Sequence, residues 1–199
     1  IAVKNTPKAS SASVAELALA HMLSCARFIS ICGHTMREDK WEKKACGKGI
    51  EIGGKTLGVI GYGRIGQALG KMAQALGMKV LAYDIFHVDG LECDTMRYVE
   101  MDELLAKSDF ISLHTPSIDG KPLISAENIA KMKDGVVFVN TSRGNNVDED
   151  ALLEALGSGN HALYSHPAVS CTPHIGAATV EAQKRIGAEI VDIIETFGK

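Results

Sequence analysis

Short apolar runs alternate with helical patterns through most of the chain. Five runs that are mostly hydrophobic predict buried strands at residues 57–60, 80–83, 110–113, 136–139 and 168–171. The segments between them space their apolar residues helically and predict helices at 64–76, 102–107, 126–133 and 149–156. Strands that are buried on both faces and alternate with helices are typical of a parallel sheet covered on both sides. The pattern therefore predicts an α/β fold with a doubly wound parallel sheet.

Two longer amphipathic helices are predicted on either side of this alternation. Ser13 and Glu16 have the spacing of a capping box, and apolar residues follow at helical intervals, which predicts a flanking helix over 13–31. Thr179 is a suitable N-cap with Glu181 in the first turn, which predicts a closing helix over 179–198. The whole chain, 1–199, is predicted to be one domain with its core at 54–174.

Composition and charge exclude several classes of partner. The 199 residues are 46% hydrophobic and 23% charged, with a net charge of −3, so the chain lacks the basic excess typical of proteins that bind nucleic acid or anionic membranes. No apolar run approaches the roughly 20 residues of a membrane span, and the first residues lack the pattern of an export signal. We therefore expect a cytoplasmic protein with no nucleic-acid or membrane partner.

Cysteines and most histidines carry no recognisable site. The cysteines are Cys25, Cys32, Cys46, Cys93 and Cys171. An odd count without a C-x-x-C pair predicts reduced thiols, with neither a disulfide framework nor a metal site, and leaves a catalytic thiol as the alternative. Five histidines are expected to be surface or packed imidazoles: His21, His34, His87, His161 and His166.

A glycine-rich loop follows the first predicted strand and opens the first predicted helix after it. Residues 61–66 read G-Y-G-R-I-G. In this context Gly61 permits a tight turn, Gly63 lets the backbone approach a pyrophosphate, and Gly66 lets the helix pack closely on the strand. Free amides at the helix start, including those of Arg64 and Ile65, would face the phosphates. The loop predicts a dinucleotide site of the Rossmann type, with a ligand-free turn or a flavin site as alternatives.

Asp84 ends the second predicted strand and indicates which dinucleotide binds. A carboxylate at this place accepts hydrogen bonds from the adenosine ribose hydroxyls and repels a 2′-phosphate. The following residues, Ile85-Phe86-His87, supply no Arg or Lys to hold such a phosphate. The sequence therefore predicts NAD as the cofactor.

Two further polar residues are predicted at the same edge of the sheet. Arg143 follows the strand predicted at 136–139, and His174 follows the strand predicted at 168–171. Ligands of open α/β sheets bind at the carboxyl ends of the strands. An Arg fork can hold a carboxylate there, and a His can take the proton of an alcohol as hydride leaves the neighbouring carbon. Arg143 and His174 are therefore the predicted catalytic residues.

In these residues the sequence resembles the NAD-dependent D-2-hydroxyacid dehydrogenases, and within them the D-3-phosphoglycerate dehydrogenases. The motifs are N-T-P at 5–7, V-A-E at 14–16, G-K-T-L-G at 54–58, L-H-T-P at 113–116, V-N-T-S-R-G-N-N-V-D-E at 139–149 and T-P-H-I-G-A at 172–177. The resemblance implies that Arg143 binds the substrate carboxylate and that His174 is the acid/base. It also implies that further residues line the cofactor cleft: His114, Thr115, Pro116, Thr141, Ser142 and Ala177, together with Arg143 and His174.

The resemblance implies hydride transfer between NAD and a D-2-hydroxy acid. The substrate expected first is 3-phosphoglycerate, for serine biosynthesis, and reduction of glyoxylate or hydroxypyruvate is an alternative. The helix over 14–31 resembles the one through which the family dimerises, so a homodimer is expected. A protein of another class, an NAD(H)-responsive binding module without turnover like the family's corepressors, is the second interpretation.

Two departures from the family limit this expectation. The family has a substrate lobe before its Asn-x-Pro segment, whereas this chain has four residues before Asn5. Between Leu156 and Ala168 the family has a strand ending in Asp and then a Glu that orients the catalytic His, and this stretch has neither acid. We expect the lobe and one late strand to be missing, and these 199 residues alone to bind NAD with little turnover. Three explanations of the missing strand remain: a natural variant, a trimmed cofactor domain, or a mobile stretch that is absent from the sequence.

Overall fold

The fold is built on one parallel sheet. The computed structural model describes residues 3–117, 120–157, 163 and 166–197. Its strands are β1 Thr56–Ile60, β2 Lys79–Tyr83, β3 Met96–Tyr98, β4 Phe110–Leu113 and β5 Val137–Asn140. They pair in the order β3-β2-β1-β4-β5, and every pairing is parallel. This confirms the predicted α/β class and the doubly wound Rossmann-type sheet.

Helices cover both faces of the sheet. Their bounds are α1 Ser11–Ala26, α2 Ile29–Arg37, α3 Arg64–Ala75, α4 Met101–Lys107, α5 Ala126–Ala130, α6 Glu149–Ala155 and α7 Val180–Thr196. Alternate residues of β1 enter opposite cores: Leu57 and Val59 join one cluster with α1 and α3, and Ile60 joins the other with α4. Because both faces are buried, the strand shows a continuous apolar run rather than an alternating one.

The strand order places the topological switch point of the sheet between β1 and β4. From β1 the chain moves outward to β2 and β3, and it then returns to add β4 and β5 on the other side of β1. A crevice forms at the carboxyl edge of such a sheet, where the loops after the two central strands diverge. The loops after β1, β2, β4 and β5 therefore meet around one candidate ligand site.

The sequence predictions differ from the structure at both sheet edges. The short strand β3 was not predicted, because only Met96 of its three residues is buried and Arg97 interrupts the apolar pattern. The strand predicted at 168–171 is wrong, because these residues form no strand. Their segment lies along α1, where Ser170 bonds to a helix side chain instead of joining a ladder. The rest of the departing stretch, 158–162 and 164–165, lies outside the described residues, as does His161.

The predicted flanking helix over 13–31 is two helices rather than one. The chain turns by 68° between α1 and α2, and Phe28 at the break has a left-handed φ of 57°. Ser13 is not the predicted cap, since α1 begins at Ser11 and the buried Ser13 hydroxyl hydrogen-bonds the Thr179 hydroxyl at 2.8 Å. Thr179 is the N-cap of α7, as predicted, and accepts a hydrogen bond from the Ala182 amide at 3.1 Å.

In the described ranges, no single helix is long and apolar enough to cross a membrane. The bent pair of α1 and α2 passes that test by length and composition only. Here α1 is a core helix, with Ala15, Ala18 and Met22 fully buried.

The prediction that all cysteines are reduced thiols is wrong for one pair. Cys32 on α2 and Cys46 on the 3₁₀ helix Ala45–Lys48 form a disulfide, with a Cα–Cα distance of 6.5 Å. The two cysteines are 14 residues apart, a separation that does not by itself indicate a disulfide. The pairing depends on the turn after α2, which returns the chain past that helix.

Candidate functional site

Gly61 lies where the central strands diverge, and its position has no room for a side chain. Its φ is 90°, a conformation that only glycine adopts readily. A Cβ there would lie 2.9 Å from the His114 carbonyl carbon and 3.0 Å from the Thr115 amide nitrogen. Its own amide donates to the Tyr83 carbonyl at 2.9 Å. Gly61 therefore joins the ends of β1, β2 and β4 at the base of the crevice.

The other two glycines of the loop have different surroundings. A Cβ on Gly66 would collide with the Gly61 carbonyl oxygen and lie 3.0 Å from Val59, so α3 packs directly against β1 and its loop. A Cβ on Gly63 would meet nothing within 4 Å. Of the three, only Gly63 faces open space, which is where a ligand can approach the backbone.

The start of α3 offers amides rather than side chains to this space. Gly63 is the N-cap, and no side chain caps the helix. The Arg64 guanidinium is directed to the Pro7 carbonyl at 3.5 Å, and Ile65 packs against the core. Both residues can therefore contribute to a phosphate site through their backbone amides, where the helix dipole favours negative charge.

Asp84 follows β2 beside the glycine loop. One of its carboxylate oxygens accepts a hydrogen bond from the Phe86 amide at 3.0 Å, which fixes the side chain at the turn. Ile85 and Phe86 are 80% and 75% exposed. The half-buried carboxylate thus lies at the carboxyl edge next to Gly61, as a ribose-binding acid must.

His114 links the ends of β4 and β5. Its Nε2 lies 2.9 Å from the Ser112 hydroxyl, and its Nδ1 lies 3.2 Å from the Thr141 hydroxyl. Burial lowers the pKa of His114 to about 4. The ring is therefore neutral near pH 7, with one nitrogen donating and the other accepting, and it couples two loops of the crevice.

Asn146 is a second cross-link between these loops that the sequence reasoning did not single out. It is 1% exposed, and its Nδ2 lies 3.2 Å from the Thr115 carbonyl oxygen, 3.0 Å from that of Pro116 and 3.3 Å from the Ser142 hydroxyl. Its only signal in the sequence is its place in the motif at 139–149. Asn146 fixes the Thr115-Pro116 wall of the cleft against the loop after β5.

The loop after β5 presents Arg143. Asn140 Oδ1 accepts hydrogen bonds from the Ser142 amide at 2.9 Å and hydroxyl at 2.7 Å, and Asn140 Nδ2 donates to the Arg143 carbonyl at 2.9 Å. The exposed Arg143 guanidinium donates to the Ser142 carbonyl at 2.9 Å. Among the described residues it forms no salt bridge with a carboxylate. A rigid turn thus holds an available guanidinium at the carboxyl edge.

His174 lies on a segment that is not part of the sheet. It is exposed and has a left-handed φ of 58°. Its amide donates to the Thr172 carbonyl at 2.9 Å. Ala177 follows in a turn and accepts a hydrogen bond from Gln183 at 3.2 Å. The predicted site residues therefore divide between the sheet edge and this segment along α1.

Comparison with known proteins assigns the chain to a family. Residues 19–161 match the family described as D-isomer specific 2-hydroxyacid dehydrogenase, NAD binding domain. The chain belongs to this family. A hydroxypyruvate reductase of Thermotoga maritima is 48% identical over 215 residues, with 98% of this chain and 69% of the relative covered. A D-3-phosphoglycerate dehydrogenase of Archaeoglobus fulgidus is 41% identical over 218 residues, with 100% of this chain covered.

Solved structures of the family agree with the fold. A D-lactate dehydrogenase from Aquifex aeolicus, solved with NAD and lactic acid, superposes with a TM-score of 0.83 at 31% identity, covering 96% of this chain and 67% of that one. This dehydrogenase domain spans 69% of the length of the Thermotoga relative but only 41% of the length of the Archaeoglobus relative. Its relatives are NAD-dependent oxidoreductases, and NAD is the cofactor of the family.

The residues of this dehydrogenase domain fit NAD. The space at Gly63 and the uncapped start of α3 suit a pyrophosphate, and Asp84 suits a ribose without a 2′-phosphate. The predicted family, fold and cofactor are confirmed.

Proposed function

We propose that this chain is the cofactor-binding part of an NAD-dependent D-2-hydroxyacid dehydrogenase in which Arg143 and His174 act on the substrate. The observation that carries the proposal is the Arg143 guanidinium, exposed and without a described acidic partner, at the edge where Gly63 and Asp84 offer a dinucleotide site. A substrate with a carboxylate beside its reacting carbon would bind there through two parallel hydrogen bonds.

The proposed chemistry divides between the two side chains. Arg143 holds the carboxylate and so fixes the position of C2. Bound NAD supplies the nicotinamide carbon that exchanges a hydride with C2. In oxidation, the His174 imidazole takes the hydroxyl proton as the hydride leaves C2, and in reduction it returns that proton to the carbonyl oxygen.

We propose hydroxypyruvate as the first substrate to test. The support is the reductase of Thermotoga maritima, at 48% identity, of which this chain spans 69%. The earlier expectation of 3-phosphoglycerate and serine biosynthesis is the second candidate, supported by the dehydrogenase of Archaeoglobus fulgidus at 41% identity. Glyoxylate, the remaining alternative substrate, should be tested in the same assay.

The test is steady-state kinetics of the full-length protein with NADH and each 2-oxo acid, and with NAD and 3-phosphoglycerate, beside His174→Asn and Arg143→Lys. Asn is the suitable replacement because it tolerates the left-handed backbone at His174. Loss of a positioned acid/base is expected to lower kcat by at least about 100-fold with the Kd for NADH unchanged. Arg143→Lys keeps the charge but loses the fork, so it should mainly raise KM for the acid. Wild-type turnover by both variants would refute the proposal.

Binding without turnover is the second candidate function. It is favoured by the stretch from Leu156 to Ala168, which lacks the acid that orients the catalytic His in the resembled family. Calorimetric titration of the full-length protein with NADH distinguishes the two. Tight NADH binding with no turnover of any 2-oxo acid would favour the binding module.

We also propose a homodimer formed through α1 and α2. The support is an exposed apolar surface on and beside α2, which has no buried residue: Ile29 is 59% exposed, Met36 50% and Trp41 77%. Light scattering of the wild type and of Trp41→Ser tests this proposal, and a wild-type monomer at assay concentration would refute it.

We propose a cytoplasmic location, although the Cys32–Cys46 disulfide is more typical of proteins in oxidising compartments. Cell fractionation tests this location, and recovery of the protein outside the cytoplasm would refute the proposal.

A further inference from the structure

The segment that leads to His174 is attached to α1 by an imidazole. His21 Nδ1 lies 3.1 Å from the Ser170 hydroxyl, and His21 Nε2 lies 3.4 Å from the Thr172 hydroxyl. Ser24, one helical turn later, reinforces the contact at 3.3 Å from the Ser170 hydroxyl. The Thr172 carbonyl in turn accepts the His174 amide. Two successive hydrogen bonds thus connect the His21 ring to the backbone of His174.

The segment is also attached to α1 after His174. The Thr179 and Ser13 hydroxyls are 2.8 Å apart. A Cβ on Gly176 would lie 3.1 Å from Val14, so the backbone passes close to the helix there. Because α1 is a core helix, it is a firm support for both ends of the turn that carries His174.

The His174 backbone needs such support. A residue other than glycine in the left-handed region costs roughly 1–2 kcal/mol, and His174 has a φ of 58°. No sheet pairing holds the described part of this segment, 166–178. Side-chain hydrogen bonds to α1 are therefore among the contacts that keep the turn in one conformation.

The chemistry of His21 suits this role. Burial lowers the pKa of its imidazole, which favours the neutral ring. A neutral imidazole has one donor and one acceptor, and a hydroxyl can complement either. His21 can therefore bridge Ser170 and Thr172 at once, which an apolar side chain cannot do.

We propose that His21 is a positioning residue that holds the Ser170–Thr172 segment on α1 and thereby sets the position of the His174 imidazole relative to the substrate's hydroxyl oxygen. This inference rests on the proposed function, in which His174 is the acid/base. It assigns to α1 a part in catalysis in addition to its part in the core.

The test compares His21→Leu, which removes both polar contacts, with His21→Gln, whose amide can retain one of them. Displacing a reacting group by about 1 Å can cost about 100-fold in rate. His21→Leu is therefore expected to lower kcat about 10- to 100-fold, with the Kd for NADH changed less than about twofold, and His21→Gln should recover part of that loss. Thr172→Val removes the same contact from the other side and should lower kcat in the same way.

A double-mutant cycle separates positioning from structural damage. If His21 acts through His174, adding His21→Leu to His174→Asn should cause no further loss of kcat. Wild-type kcat in His21→Leu, an equal further loss in the His174→Asn background, or a parallel loss of NADH affinity would each overturn the inference. If His174→Asn itself keeps wild-type kcat, the proposed function fails, and that result is distinct from failure of the His21 inference alone.

Discussion

Gly63→Ala separates the binding role of the glycine loop from its folding role. The new Cβ meets no protein atom within 4 Å, and Gly63 has a φ of −73° that alanine adopts without strain. Alanine is a poorer N-cap than glycine, at a cost of about 0.5 kcal/mol, and it restricts the unfolded chain, which contributes a similar stabilisation. The free energy of unfolding should therefore change by less than about 0.5 kcal/mol.

Cofactor binding should respond differently to the same substitution. The methyl group would occupy the space through which a pyrophosphate approaches the backbone and the amides of α3. Losing that approach should raise the Kd for NADH at least tenfold, which corresponds to about 1.4 kcal/mol.

The assay pairs calorimetric titration of NADH with urea unfolding of the same preparation. The matched control is Gly187→Ala on α7, where a Cβ also meets nothing within 4 Å and no cofactor contact is proposed. An unchanged Kd for NADH in Gly63→Ala would refute the assignment of this space to the pyrophosphate. A large loss of stability would refute the reasoning from the open space.

Three further predictions concern the same crevice. Gly61→Ala should destabilise the fold by at least about 2 kcal/mol in urea unfolding, because it adds positive-φ strain to backbone contacts of 2.9–3.0 Å; an unchanged midpoint would contradict this. Asp84→Ala should weaken NADH binding about tenfold while improving NADPH binding, and titrations showing equal effects on both would exclude the ribose role. Because the pKa of His114 falls to about 4 on folding, the unfolded state binds more protons below pH 6.5, so stability should fall as pH drops toward 4. The loss from this group is up to about 2 kcal/mol at pH 5, and urea unfolding should show a correspondingly smaller fall in His114→Asn.

The sheet and its glycine loop could be predicted because their signals are local. Both faces of a central strand are buried, so the apolar runs are continuous, and Gly61 and Gly66 occupy positions where any side chain would collide with backbone. The parallel direction of the strands follows from the chain's alternation of strand and helix.

The remaining features depend on partners that are distant in the sequence. Ser13 has the spacing of a cap, but its partner Thr179 is 166 residues away. The apolar run at 168–171 resembles a strand, yet its segment contacts the side chains of α1 instead of a neighbouring strand. His21 has no local motif, and only the packing of α1 on this segment brings it to Ser170 and Thr172. Asn146 is similar, since its contacts span two loops.

The disulfide between Cys32 and Cys46 makes the attachment of α2 to the rest of the protein depend on the redox conditions of the solution. Closing a loop of this length lowers the entropy of the unfolded chain by an amount worth about 3 kcal/mol. Because α2 buries none of its residues, this covalent link fixes the segment from α2 to Cys46, which the hydrophobic core does not hold in place. A buffer containing dithiothreitol would release this segment while leaving the sheet intact. Measurements of stability or assembly made with and without a reductant would then describe two different states of the chain.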